Sequence, residues 1–336
     1  MSNLNCPQLK SQLKELKKLQ SVIKMEIGVV NKKNIFDVQA NLNQAEVLLK
    51  ELKKQTPVSI ERAKEIMGTR EVLGPDEVKK AFGIEISKEN IPAIQFSKEE
   101  LIKAKELGQF LVLRSDIDRE GQPLTMERVR ASLLDGGYDE SQKGKITYKE
   151  LADLKELFSL EDFWQNDPIK FRWSLTSKEI IPASTDKNYF EQTRVLYDYV
   201  DDLFNTECGG TAIPRKFIEA MDEYVDYFVK NFKGKTDGEI QDLISGPTSK
   251  KYARELSALK INQLSRQTPA EVLYDIFSYR QNNDEKLLEN TKAWTMRCDS
   301  VGNIVDVGNV DLGGASVYGR GLSDSRRNVG VVFSRS

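Results

Sequence analysis

The sequence predicts an α+β protein in which a helical N-terminal part leads into a C-terminal domain ending in a Gly-rich antiparallel β tail. Three observations carry this. Apolar residues recur at steps of three and four through the first 55 residues, the spacing of a helical seam. Helix-start signatures, a Ser or Thr followed three residues later by Glu, recur through the middle of the chain. The last 43 residues, Trp294 to Ser336, hold 7 of the 21 Gly and contain neither Lys nor Glu.

Residues 1–55 read as a helical hairpin or coiled coil. Leu9, Leu13, Leu16, Gln20, Ile23, Ile27 and Val30 form one seam. Ile35, Val38, Leu42, Ala45, Leu49 and Leu52 form a second, and the phase break between Gly28 and Asn34 fits a turn. Ten Lys against four Glu and one Asp give this segment a charge of +5. Phe36 is its only aromatic residue, so base stacking has no platform and the charge reads as a solvated coiled-coil face. The expected role is self-association, with no nucleic-acid partner.

Residues 56–107 read as a small helical module or linker of three short helices. Pro75 suits a first helical turn and Gly83 a helix end, while Ser97 with Glu100 opens a helix that Gly108 closes. From residue 108 the pattern is mixed. QFLVLR, starting at Gln109, is a short apolar run that reads as a buried strand, and Thr125 caps a helix reaching Leu134. Thr147 and Glu150 open a helix to Phe158, and residues 171–181 are aromatic and β-branched enough for a strand. Helices are expected over 187–204, 215–232, 237–245 and 249–260. At Thr268-Pro269-Ala270-Glu271 the N-cap, the N1 proline and the N3 carboxylate agree, giving a helix through Tyr279. In the tail, NIVDVGNV, ASVYG and NVGVVFS are strand-like pieces separated by Gly-rich turns.

Composition narrows the chemistry. The 336 residues include no His, which removes Ser-His-Asp and Cys-His catalysis and His-ligated zinc. With 50 Lys+Arg against 52 Asp+Glu the formal charge is -2, unlike a globally basic nucleic-acid binder. Cys6, Cys208 and Cys298 form no CxxC pair and no disulfide framework. The Lys-rich start lacks the apolar core of a signal peptide, and no run of about 18 apolar residues would span a membrane. The expectation is a cytoplasmic protein with no membrane partner, no metal and no cofactor.

Two loops have calcium-like spacing. Asp139 to Glu150 places Asp, Ser141, Gly144 and Glu at EF-hand positions, but Lys143 puts an ammonium among the ligands. Asp116 to Glu127 comes after a strand and carries Pro123. Both are expected to be ordinary acidic turns. Arg297 adjoins Cys298 in sequence, which does not make that thiol a nucleophile.

Trp294, the Gly-Gly-Ala-Ser-Val stretch at 313–317 and the terminal Val329-Gly330-Val331-Val332-Phe333-Ser334-Arg335 flank a polar Gly/Ser/Arg/Asp-rich segment. Upstream, Arg266, Thr268, Glu271 and Tyr274 stand in a comparable Arg-Leu-Pro-Thr-Glu-Ala-Glu-Trp-like helix. This arrangement resembles the variable proteins of diversity-generating retroelements, over about residues 108–336. The usual Gly-Phe-Arg ending is here Gly330-Val331-Val332, and the usual Arg-Gly-Gly-Ser-Trp lacks its Arg and Trp. The resemblance implies a C-type lectin-like domain of the formylglycine-generating-enzyme type over 108–336. It also implies a tail whose adenine-containing codons are rewritten to give a hypervariable ligand-binding surface.

On that reading Val305, Val307, Val317, Val331 and Phe333 fill the core. Asp306, Asn309, Asp311, Tyr318, Arg320, Ser325, Arg326 and Asn328 are the candidates to face a ligand, with strand alternation turning Asp306 away from Val305 and Val307. Tyr offers amphipathic contact area, Ser and Asn adapt, and Arg recognises carboxylates. The expected function is non-enzymatic binding of a protein or other macromolecular ligand through the tail, 294–336. The alternative is a coiled-coil scaffold or adaptor with a purely structural tail. A formylglycine-generating oxidase is disfavoured, because its paired copper-binding Cys have only Cys298 to match them in the tail.

Overall fold

Short helices and strands alternate up to residue 177, helices then run to 283, and strands complete the chain. The computed structural model describes residues 57–134, 158, 160–204, 213–311 and 314–336. The hairpin expected over 1–55, the loop 139–150, the helix opened by Thr147, and Cys6 and Cys208 lie outside the described residues. Contacts divide the chain into two units, 1–59 with 94–98 and 60–93 with 99–336. In the first, Val58 and Ile94 form an antiparallel bridge.

In the second unit, α1 (Ile60–Met67) precedes a two-residue strand β1 (Val72–Leu73) and α2 (Pro75–Phe82). Pro75 occupies the first turn of α2 and Gly83 ends it in the left-handed region at φ 66, where glycine carries no Cβ penalty. The third expected helix is α3 (Lys98–Glu106). The boundary expected at residue 107 does not hold. β1 pairs in parallel with β2 (Gln109–Arg114), so residues 60–93 share a sheet and a core with residues 99–336 rather than forming a separate module. Thr125 precedes α4 (Met126–Leu134), and α5 (Asp162–Gln165) leads to β3 (Arg172–Ser177).

The helical layer comprises α6 (Tyr189–Phe204), α7 (Arg215–Phe232), α8 (Asp237–Ser245), α9 (Ser249–Ala258) and α10 (Lys260–Ser265). The helix expected over 249–260 thus breaks at Leu259, which takes an extended conformation between α9 and α10. Next comes α11 (Pro269–Asn283), opened by the reciprocal Thr268–Glu271 cap and ended by Asp284 in the left-handed region. Every residue of α11 from Pro269 to Tyr279 is buried. A helix enclosed on all sides must satisfy its polar groups internally. Glu271 and Asp275 do so on Arg114, at 3.2 and 2.6 Å.

The tail contains β4 (Lys292–Cys298), β5 (Ile304–Asp311), β6 (Gly314–Arg320), β7 (Val329–Gly330) and β8 (Ser334–Arg335). It does not form one β unit. β6-β5-β4-β7 make one sheet, antiparallel except for β4 with β7, whereas β8 crosses to the other, β1-β2-β3-β8, antiparallel to β3. The five residues expected in the core, Val305, Val307, Val317, Val331 and Phe333, are all fully buried. Trp294, Ile304, Val331 and Phe333 join Tyr189, Leu196, Phe217 and Leu256 of the helical layer in one apolar cluster. The architecture is therefore mixed α and β, with α11 packed on β4 and β5 and the helical layer closing part of the same tail sheet.

Candidate functional site

One end of the tail sheet is left open by the helical layer, and strand register decides which side chains it presents. Asp306 of β5 lies opposite Trp294 of β4 and Tyr318 of β6, so the three share a face; alternation adds Lys292, Ile304 and Arg320. Trp294 and Ile304 are covered by helices, whereas Tyr318 keeps 47% of its surface exposed.

Beneath Tyr318 lies a charged cluster. Asp306 is fully buried; its carboxylate accepts from the Arg320 guanidinium, and Lys292 Nζ is 3.8 Å from Oδ1. Lys292 Nζ also lies 3.7 Å from the centre of the Tyr318 ring, and the Arg320 guanidinium 5.2 Å from it. A cation against an aromatic face is attracted by the ring quadrupole, and more strongly when desolvated. Burial pushes the Asp306 carboxyl up; Arg320 and Lys292 pull it the other way without cancelling the effect.

Local backbone geometry brings Lys292 in. Register shifts between Gly308 and Asp311, a bulge with Gly308 at φ 146 and Asn309 at φ 54. A Cβ on Gly308 would lie 2.4 Å from the Thr291 carbonyl and 2.8 Å from Lys292 Cα, so only glycine allows this approach. Asn309 N–H donates to that carbonyl at 2.6 Å, fixing the start of β4 against the bulge.

The loop 321–328 borders the same end. Asp186 N–H donates to the Arg326 carbonyl at 3.1 Å, and Lys292 N–H donates to the Asn328 carbonyl at 2.7 Å. The backbone is thus fixed from both sides while the side chains of Ser325, Arg326, Arg327 and Asn328 are exposed.

The structure sorts the eight sequence candidates into groups. Tyr318, Ser325, Arg326 and Asn328 stand at the surface. Arg320 is partly covered and engaged with Asp306. Asp306 turns away from Val305 and Val307 as alternation requires, but it is enclosed rather than ligand-facing, because Lys292 and Arg320 close over its carboxylate. Asn309 is half-buried in the bulge, and Asp311 pairs with Gly314 at the end of the hairpin. Lys292 is not among the eight. It stands two residues before the tail boundary at Trp294, and the signal that reveals it is its alternation with Trp294 and Met296 in KAWTMRC.

The 116–127 loop and Cys298 are internally satisfied. Asp118, in the 116–127 loop, is buried, which disfavours its charge. N–H bonds from Gln122 and Glu120 and the Arg128 guanidinium outweigh that burial and hold its carboxyl below the usual range. An acidic turn uses the oxygens that a calcium ion would need, and no group of three or more metal-ligating side chains gathers among the described residues. Cys298 donates to Ser257 Oγ at 3.5 Å, and burial pushes its thiol up, which favours the unreactive protonated form. A groove of about 570 Å³ between α6, α7 and α8 is lined by Phe190, Val195, Phe228, Ile240 and Ile244, with Lys187, Glu191, Arg194 and Asp198 along it. Its charges are of both signs.

No helix of the described residues is long and apolar enough to cross a membrane. Compared with known protein families, curated proteins and solved structures, the chain matches none.

Proposed function

We propose that this protein is a non-enzymatic binding protein whose tail sheet presents a replaceable ligand surface, as in the variable proteins of diversity-generating retroelements with their C-type lectin-like domain. The observation that carries the reading is the division of labour in residues 292–333. Val305, Val307, Val317, Val331 and Phe333 hold the sheet from within. Main-chain bonds to Thr291, Asp186 and Lys292 hold the bulge and the loop. Tyr318, Ser325, Arg326 and Asn328 project from that frame into solvent. A surface built this way changes its chemistry without repacking its core.

The test is a cell-surface display library of the full chain randomised at Tyr318, Ser325, Arg326 and Asn328, selected against an unrelated folded protein. Most members should display as folded chains, and binders should emerge whose affinity resides in the randomised positions. A library that mostly fails to display, or that yields no binder from well-displayed members, refutes the reading.

A further inference from the structure

The charges around Tyr318 are unequal. Lys292 and Arg320 both face the buried Asp306 carboxylate, two positive groups about one negative, and Arg326 stands exposed on the adjoining loop. Arg327 and Asp186 lie 3.9 Å apart and offset each other. Asp324 sits in the turn after Gly321, where its N–H donates to the Gly321 carbonyl. Among the described side chains, Lys292, Arg320 and Arg326 against Asp306 and Asp324 leave one positive charge in excess, on a chain whose formal charge is -2. Two of the cations are also preorganised. Lys292 is 7% exposed and held between the Tyr318 ring and Asp306, and Arg320 is held by Asp306 beside the same ring. Fixing long side chains before a ligand arrives removes the entropy cost of ordering them on binding.

Resting on the ligand-binding reading above, we propose that this end of the sheet selects acidic peptide segments. A carboxylate of the partner would sit at the exposed Tyr318 edge within the field of Lys292, Arg320 and Arg326, with Asp306 as the fixed counter-ion that keeps two of the cations in place. The planar Arg fork matches a carboxylate, and one exposed aromatic beside cations suits a peptide better than the stacked bases of a nucleic acid. Lys292 lies outside the tail segment and Arg320 is engaged with Asp306, so these two cations stay in place when the tail's exposed residues change, whereas Tyr318 and Arg326 set how strongly the acidic segment is held.

The experiment uses the full chain and four fluorescein-labelled peptides of one length, Ser alternating with Glu, Gln, Lys or phosphoserine, read by fluorescence anisotropy at two salt concentrations. The Glu peptide should bind, more weakly at high salt, and the Gln and Lys peptides should bind at least tenfold more weakly. Arg326→Gln, at an exposed position, should weaken Glu-peptide binding about threefold, the scale of one solvated ion pair. Tyr318→Ala should weaken it further, and thermal melting of both variants checks that they fold. Equal binding of the Glu and Gln peptides overturns the proposal. If that common binding is lost in Tyr318→Ala, the binding surface stands and only its anion preference fails. Strong phosphoserine binding without Glu binding overturns the carboxylate assignment in favour of a phosphate monoester. Absence of binding by every peptide at millimolar concentration overturns the proposal, while the display selection still decides the broader reading.

Discussion

Arg114→Met tests the joint on which the tail closes. Arg114 is 1% exposed on β2 and donates to Asp275 through Nε at 3.0 Å and Nη2 at 2.6 Å. It also lies 3.2 Å from Glu271 and donates to Ser174, Thr176 and Ser334 at 3.1–3.2 Å. Methionine keeps much of the apolar stem and removes every one of these bonds. Glu271 retains Arg172 at 2.8 Å, and Asp275 retains the neutral Gln267 amide at 2.8 Å and the Thr176 hydroxyl, so one buried carboxylate loses its counter-charge. Breaking a buried pair from one side costs about 3–5 kcal/mol. The charge has to be what matters, so pH supplies a second reading. Burial raises the Asp275 carboxyl even beside Arg114, and losing Arg114 raises it further, so the deficit of Arg114→Met relative to wild type should shrink as pH falls from neutral through that raised range and Asp275 takes up a proton. Arg114→Met/Asp275→Leu should recover a large part of the loss at neutral pH, since replacing both partners by apolar groups is often neutral. The assay is urea unfolding monitored by tryptophan fluorescence at several pH values, with midpoints and slopes compared. A single-variant loss below about 1 kcal/mol, or a loss independent of pH with no recovery in the double variant, refutes the account.

Val331→Ala and Phe333→Ala should each cost about 2–5 kcal/mol in urea unfolding, because both side chains are fully buried, whereas Ser325→Ala and Arg326→Ala should leave the melting temperature nearly unchanged. Gly308→Ala should destabilise by at least about 2 kcal/mol, combining a φ of 146 with a Cβ 2.4 Å from a carbonyl, and differential scanning fluorimetry reads the shift. Burial raises the Asp306 carboxyl, so the stability it contributes is complete below the unfolded value near 3.9 and is lost as pH rises through the folded value. Asp306→Asn should therefore flatten that slope in melting curves across the acid range, and an unchanged slope contradicts the assignment.

The features legible in the sequence are local. The cap at Thr268–Glu271 lies within four residues and forms as reciprocal hydrogen bonds. Strand alternation places Val305 and Val307 on one side and Asp306 on the other, because side-chain direction has a period of two whatever the partner strand. The hidden features are non-local. Val72–Leu73 is too short to have a period and exists as a strand because Leu111 and Val112 pair with it. The burial of Asp306 depends on Lys292, fourteen positions upstream, and on Arg320, fourteen downstream. A tail defined by its Gly content begins at Trp294 and excludes that lysine. The break at Leu259 carries neither Gly nor Pro, so no stop signal marks it.

The crossing of β8 from one sheet to the other limits how the tail can change. Ser334 and Arg335 pair with Thr176 and Leu175, Ser334 Oγ accepts from Arg114, and Arg335 bonds Glu100 at 2.6 Å. The strand that completes the early sheet is supplied by the far end of the tail, so that sheet closes only when the tail is present and in register. A premature stop or a shifted reading frame anywhere in the tail deletes that closure, while an exchanged side chain at 325–328 leaves it intact. Folding therefore acts as a proofreader that rejects changes of length and passes changes of letter.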